Sequence, residues 1–224
     1  LLAPDSEGQV RAMAAAYAEA GWKPTDVDLI ECHGAGTPVG DSTEIDSLIR
    51  LWSDAGAGVG DCVIGSVKAT VGHLLVAAGA AGLIKTLLAM DRKILPPTRH
   101  FSMPPAESPL AGSPFRVPTE AAPWHRRKGG LPRRAAVSAF GFGGINAHLL
   151  LEEWMGADGP APASDIGSRG EHPAFSDRKP EAITRQTAPG SPAPAPRIAV
   201  VGIDAAFGSA ADLSAFEQAV LSGA

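Results

Sequence analysis

Apolar positions recur along the chain with two periods, and the places where the period changes mark the elements. Residues 9–20 (QVRAMAAAYAEA) are rich in helix formers and stop at Gly21, which predicts a helix closed by a glycine. Residues 27–32 (VDLIEC) alternate and predict a short strand that runs into the Gly-rich turn His33-Gly34-Ala35-Gly36-Thr37. Asp41 followed three residues later by Glu44 has capping-box spacing, so a helix is expected to start there and reach Trp52. Residues 63–66 predict a second short strand, and an Ala-rich helix is expected to follow His73. Residues 135–140 and 145–152 predict two strands joined by the bend Gly141-Phe142-Gly143-Gly144. Strands alternating with helices point to an α/β layered fold.

After Trp154 the pattern dissolves. Residues 155–196 hold eight of the twenty prolines, mixed with Gly, Ala and Ser, and predict an extended linker. Order returns at 198–202, a buried-type strand pattern, and Asp212 can cap a helix through Leu221 that ends at Gly223. This tail buries little by itself, so its apolar face is expected to need cover from sequence beyond it. A first residue that is Leu1 and a last residue just after a helical pattern lead to the expectation that the sequence is a piece of a longer chain.

Composition narrows the classes. Hydrophobic residues make up 45 % of the 224, aromatics only 5 %, so the core is expected to be packed with small side chains. A net charge of -5 argues against nucleic-acid binding. The longest apolar run, 74–90, is interrupted by Gly79, Gly82 and Lys85 and is short for a membrane span; it reads as a buried helix. Cys32 and Cys62 without a signal-peptide pattern predict free thiols and a reducing cytoplasm.

Three stretches carry the chemistry: residues 30–41 (IECHGAGTPVGD), residues 65–73 (GSVKATVGH) followed by Ala77-Ala78-Gly79, and residues 138–148 (SAFGFGGINAH). In this order they resemble the C-terminal half of β-ketoacyl synthases. The likeness covers residues 1–154 and looks closest to iterative synthases of polyunsaturated fatty acids and related lipids. The resemblance implies a thiolase-like layered αβαβα fold, of which this is one half. It implies decarboxylative condensation of a malonyl unit with an acyl chain held on a cysteine in the absent N-terminal half, so the fragment alone is expected to be inactive. By the same resemblance His33 and His73 are the two catalytic histidines, Lys68 the accompanying lysine, and Phe142 the residue of the gating bend. Thr37 and Gly36, with Phe140, Gly141 and Gly143, are expected along the path of the substrate's phosphopantetheine arm. No cofactor or metal bound directly is implied. The partners implied are an acyl carrier protein domain and a second copy, as a homodimer through the complete domain. Residues 197–224 resemble the opening of a second ketosynthase-like or chain-length-factor-like domain.

The residue types suit that chemistry. An enolate forming on a thioester oxygen needs donors already aimed at it, and neutral imidazoles supply them. His73, placed just before the expected helix start, should be neutral because the macrodipole disfavours a cation there. Lys68 reads equally as a structural ion-pair former, and His148 reads as structural. Asp41 and Glu44 read as helix caps. Cys32 and His33 are strand neighbours that point to opposite faces, so they form no dyad. The basic stretch 125–128 with Arg133 and Arg134 reads as a solvated loop, or as a docking patch for an acidic carrier.

Departures from the family pattern are Ala35 for a usual Thr, Thr70 for Asn and Ile145 for Thr. They leave open a non-catalytic, chain-length-factor-like scaffold, against which both histidines are retained. A dinucleotide site lacks its glycine spacing, since only Gly202 and Gly208 are present in the tail. A metal hydrolase lacks ligand spacing, and a degradative thiolase lacks a late cysteine.

Overall fold

The computed structural model describes residues 4–53, 56–156 and 213–222, with the backbone alone at Phe142. Seven strands occur among them: β1 (Leu29–Glu31), β2 (Cys62–Gly65), β3 (Ile94–Leu95), β4 (Phe115–Arg116), β5 (Ala122–Pro123), β6 (Arg134–Phe140) and β7 (Asn146–Glu152). Five make one sheet in the order β4-β2-β1-β6-β7. The first three pairings are parallel and β6–β7 is an antiparallel hairpin. β3 and β5 form a separate antiparallel pair.

The helices are α1 (Ser6–Ala20), α2 (Pro38–Trp52), α3 (Lys68–Val71), α4 (Ala78–Arg92) and α5 (Leu213–Ser222). α1 starts three residues before the sequence pattern suggests, because Asp5 accepts from the N–H groups of Glu7 and Gly8. It ends as expected on Gly21 in the left-handed conformation. α2 starts at Pro38 rather than Asp41: Thr37 is the cap, accepting from the Gly40 N–H at 3.2 Å, and Pro supplies a preset φ in the first turn. The Ala-rich helix does not follow His73 directly. α3 precedes that residue, and a single 3-10 turn (Leu75–Ala77) separates it from α4.

Alternation along the central strands divides the core in two. Leu29, Val63 and Ala135 face the side of α4, packing with Ala81, Leu88, Ala89 and Trp124. Ile30, Cys32, Cys62, Ile64, Ala136 and Phe140 face the other side, where Met13 and Tyr17 of α1 and Leu48 and Trp52 of α2 lie. The result is a helix–sheet–helix sandwich in which β1 is covered on both faces. Small residues bring α4 close: a Cβ on Gly79 would stand 3.2 Å from the Ala139 Cβ.

α5 places Phe216 and Val220 in the cluster on the α4 side, and its Glu217 pairs with Arg92. Its apolar face thus has cover within the chain. The linker at 157–196 and the strand pattern at 198–202 lie outside the described residues.

The basic stretch is an exposed loop at His125, Arg126 and Lys128, as the sequence suggests, but its arginines are paired. Arg126 binds Glu153 through two hydrogen bonds of 3.0 Å, and Arg133, only 6 % exposed, binds Glu153 at 2.6 Å. Arg127 reaches Asp26 at 2.7 Å, and Arg134 reaches Glu152 at 2.6 Å while stacking over Trp22. These carboxylates neutralise the arginines and clip their loop to the end of β7 and the turn before β1. A free docking patch at Arg126 and Arg127 is not what the fold provides.

Candidate active site

The C-terminal ends of parallel β1 and β2, and the end of β6, converge on one region. Parallel sheets commonly carry reactive groups at such ends. His33 follows β1 by two residues, and its chain there is held on both sides. The Cys32 N–H donates to the Gly65 carbonyl at 2.8 Å, and the N–H groups of His33 and Gly34 donate to the two carboxylate oxygens of Glu44, each at 2.7 Å. Gly34 has φ +40°, and a Cβ there would meet the Ser66 Cβ at 2.8 Å, so only glycine fits this bend.

His73 arrives from the opposite direction. α3 ends at Gly72 in a positive-φ conformation, the imidazole follows, and then Leu74 and Leu75 adopt φ of 47° and 46°, a region costly for leucine. The rings of His33 and His73 meet edge to face, centroids 5.4 Å apart at 76°. The Phe140 ring lies 6.0 Å from His33, and the Phe140 N–H donates to His33 Nδ1 at 3.4 Å.

That last contact, long at 3.4 Å, favours one tautomer. With Nδ1 accepting, the proton of neutral His33 resides on Nε2, which is left as a donor. Burial, reinforced by the charges of Lys68 and His73, lowers the His33 pKa to about 4. The ring is therefore neutral at pH 7. The macrodipole argument for His73 loses its helix, because the first turn of α4 begins five residues later.

Lys68 opens α3, half-buried. Burial lowers its pKa, opposed by the carboxylates of Glu31 and Glu44. The structural ion pair here belongs instead to Lys85 and Glu31, 2.7 Å apart and both 3 % exposed.

Thr37 and Gly36 lie on the exposed loop between His33 and α2. The Thr37 hydroxyl oxygen is engaged as the helix cap, and the Gly36 N–H donates to Asp41. At the end of β6 the Gly141 N–H donates to the Ile145 carbonyl at 2.8 Å, which closes the bend, and Gly143 takes φ +76° within it. Phe142 opens that bend. His148 is structural: it faces Ser138 across the hairpin, Nδ1 3.1 Å from the hydroxyl, and its ring lies against Tyr17. Both cysteines are buried, and burial pushes both thiols up, away from nucleophilic character.

Sequence reasoning misassigned Glu44, which it read as a helix cap. It caps no helix. It is 3 % exposed, and burial pushes its pKa up to about 7, against the two N–H donors and Lys68, which favour the anion. Its place on the buried stripe Glu44, Ser47, Leu48, Trp52 was the available signal, since a carboxylate on such a stripe requires a partner.

Comparison with known proteins agrees with this geometry. The family model "Beta-ketoacyl synthase, C-terminal domain" matches residues 1–102, and "Ketoacyl-synthetase C-terminal extension" matches residues 104–198. A phenolphthiocerol/phthiocerol polyketide synthase component from Mycobacterium tuberculosis is 44 % identical over 170 residues, which is 75 % of this chain and 11 % of that protein. Polyketide synthase GfsA of Streptomyces halstedii is 42 % identical over 153 residues, 68 % of this chain and 2 % of that protein. The chain thus spans a small part of the curated relatives it matches. Among solved structures, the module 6 ketosynthase of the Bacillus subtilis bacillaene synthase superposes with a TM-score of 0.66 at 38 % identity, covering 70 % of this chain and 29 % of that one. The PfaC keto synthase–chain length factor superposes with a TM-score of 0.60 at 41 % identity, covering 68 % and 16 %. On these family-model, sequence and structure matches, the chain belongs to the β-ketoacyl synthase family, as a C-terminal ketosynthase region of thiolase-like fold from the polyketide synthases.

Proposed function

We propose that this chain supplies the donor half of a condensing site, which becomes active when an N-terminal half contributes the nucleophilic cysteine. In the reaction a malonyl thioester loses carbon dioxide. The electron pair of the broken C–C bond moves into an enolate, and the nascent carbon attacks the acyl–cysteine thioester, releasing the thiolate. Negative charge peaks on the malonyl thioester oxygen. His33 Nε2–H and His73 are the donors aimed at it, and an oxyanion is stabilised most by donors that need not reorganise. Lys68 holds a positive field near both rings. The bend at Phe142 gates the pocket and turns backbone N–H groups toward the acyl carbonyl.

The carrier's phosphopantetheine arm enters past Gly36, Thr37, Phe140, Gly141 and Gly143. The malonyl unit is presented by an acyl carrier protein domain, and the complete domain works as a homodimer. Residues 155–196 link this region to residues 197–224, the opening of a second ketosynthase-like domain; the extension match ends at residue 198, beside that boundary.

The observation that carries the reading is the Phe140 N–H to His33 Nδ1 bond, which leaves a neutral donor beside a second imidazole. The test uses the complete ketosynthase with His33→Ala and His73→Ala made separately. Acyl loading of the cysteine should persist, while carbon dioxide release from malonyl-carrier falls by roughly two to three orders of magnitude. Undiminished release in both variants refutes it. A wild-type domain that takes up no acyl group favours the non-catalytic scaffold instead.

A further inference from the structure

Lys85 and Glu31 form an ion pair that the reaction described above does not use. Both side chains are 3 % exposed and the Nζ–Oε2 distance is 2.7 Å. Two glycines make the slot it occupies. A Cβ on Gly82 would meet Glu31 Cγ at 3.0 Å, and a Cβ on Gly65 would meet the Thr98 hydroxyl at 2.7 Å and Lys85 Nζ at 3.5 Å. The Thr98 hydroxyl is itself buried without a hydrogen-bond partner.

Stability does not account for such a pair. Desolvating two charges costs about as much as their attraction returns, and well-packed apolar residues commonly do as well. What the pair does have is connectivity. Glu31 is the last residue of β1, two positions before His33. Its second oxygen accepts from the Val67 N–H, one residue before Lys68 at the start of α3. Lys85 anchors the same carboxylate to the middle of α4. One carboxyl group therefore ties together the segment that carries His33, the segment that carries Lys68 and leads to His73, and the helix that follows. The bond to Val67 comes from an ionised acceptor, which is about twice as strong as a neutral one.

We infer that Glu31 and Lys85 are positioning residues of the condensing site: the pair sets the spacing of His33, Lys68 and His73. The inference rests on the functional reading above. It gives the pair a role in the decarboxylation step and none in the capture of the acyl chain, which belongs to the cysteine.

The test is made in the complete ketosynthase with Lys85→Met and with Glu31→Gln plus Lys85→Met. The single change strands a buried carboxylate. The double removes both charges, keeps similar volumes and leaves an amide oxygen for the Val67 N–H. Three quantities are read: acyl loading per folded protein, carbon dioxide release per loaded site, and unfolding temperature. Expected are unchanged loading and a KM for malonyl-carrier within about twofold. Release per loaded site should fall roughly a hundredfold in the single variant and roughly tenfold in the double, as small misplacements of catalytic groups do. The double should unfold above the single variant and somewhat below wild type, because it buries no charge but leaves the amide NH2 without the lysine as partner. A double variant that recovers the release rate as it regains stability overturns the inference, because the pair is then merely structural. If the single variant does not fold, the double decides alone. A wild-type domain that neither loads nor releases overturns the functional reading and this inference with it, whereas an active wild type with unaffected variants overturns only the inference.

Discussion

Replacing Glu44 by Gln is the sharpest perturbation of the His33 bend, because it keeps the side chain's size and changes only its protons and charge. The carboxyl group serves two backbone donors at once, the N–H groups of His33 and Gly34, each at 2.7 Å. An amide has one oxygen, so one donor is left facing an NH2 group, at a cost of about 1–3 kcal/mol. The second consequence depends on pH. Burial holds the Glu44 pKa at about 7 in the folded protein, against 4.5 when solvated. Between those values the folded state binds a proton that the unfolded state has lost, so wild-type stability falls as pH rises through the window. The separation of about 2.5 pH units, at about 1.4 kcal/mol each, makes the full effect roughly 3.5 kcal/mol. The amide does not titrate. The stability advantage of wild type over Glu44→Gln should therefore be largest at and below about pH 4.5, shrink as pH rises from there to about 7, and level off above it. Thermal unfolding of the complete ketosynthase across that range measures the gap, with malonyl decarboxylation followed in parallel. A gap independent of pH, or one that widens as pH rises, refutes the reasoning.

Two further outcomes follow from the same geometry. With the His33 pKa lowered to about 4, the Nε2–H donor is present throughout neutral pH, so any loss of decarboxylation from its protonation should appear only near pH 4; a limb at pH 6.5 that vanishes in His33→Ala contradicts this. Among the clip arginines, Arg133→Met should cost about 1–3 kcal/mol, because it leaves the Trp124 carbonyl without its donor while Arg126 still pairs Glu153, whereas the exposed Arg126→Ala should leave the unfolding curve nearly unmoved and carrier-dependent rates unchanged at low salt, as unfolding curves and steady-state kinetics would read.

The sequence made the central strands legible because their alternation or apolar runs are bounded by glycine turns. The predicted strands at 27–32, 63–66, 135–140 and 145–152 fall on β1, β2, β6 and β7 with only small shifts at their ends. Helix starts were less legible, for a local reason. Asp41 and Glu44 have capping-box spacing, but Thr37-Pro38 offers a cap followed by a residue already fixed at helical φ, and it prevails. The two-residue strands β3, β4 and β5 carry too few positions to show a period. Motif order pointed to the two histidines whose rings meet, whereas the contacts of Glu44 and of Glu31–Lys85 were not anticipated. Their partners lie 10 to 54 residues away, too far for a local pattern to join them. The basic stretch was legible as an exposed loop, but the carboxylates that pair its arginines come from residues 26, 28, 152 and 153, which no local pattern joins to it.

On the proposed reading, the anchors of the site explain how a donor side can be built in one half of a domain. His33 is held by Glu44 through its backbone and by the Phe140 N–H through its ring. The α3 start is held by Glu31, and Glu31 by Lys85. Each of these partners comes from the chain itself, on β1, α2, α4 and β6, and none is a surface loop. A donor pair fixed this way meets its ordering cost during folding rather than during turnover, the condition under which oriented dipoles accelerate a charge-forming step. The link without such support is the one after His73, where Leu74 and Leu75 take left-handed conformations and Leu75 and Val76 are exposed. Of the two imidazoles, His73 is accordingly the one whose placement depends on what packs against residues 74–76, and His33 the one that the rest of the chain already defines.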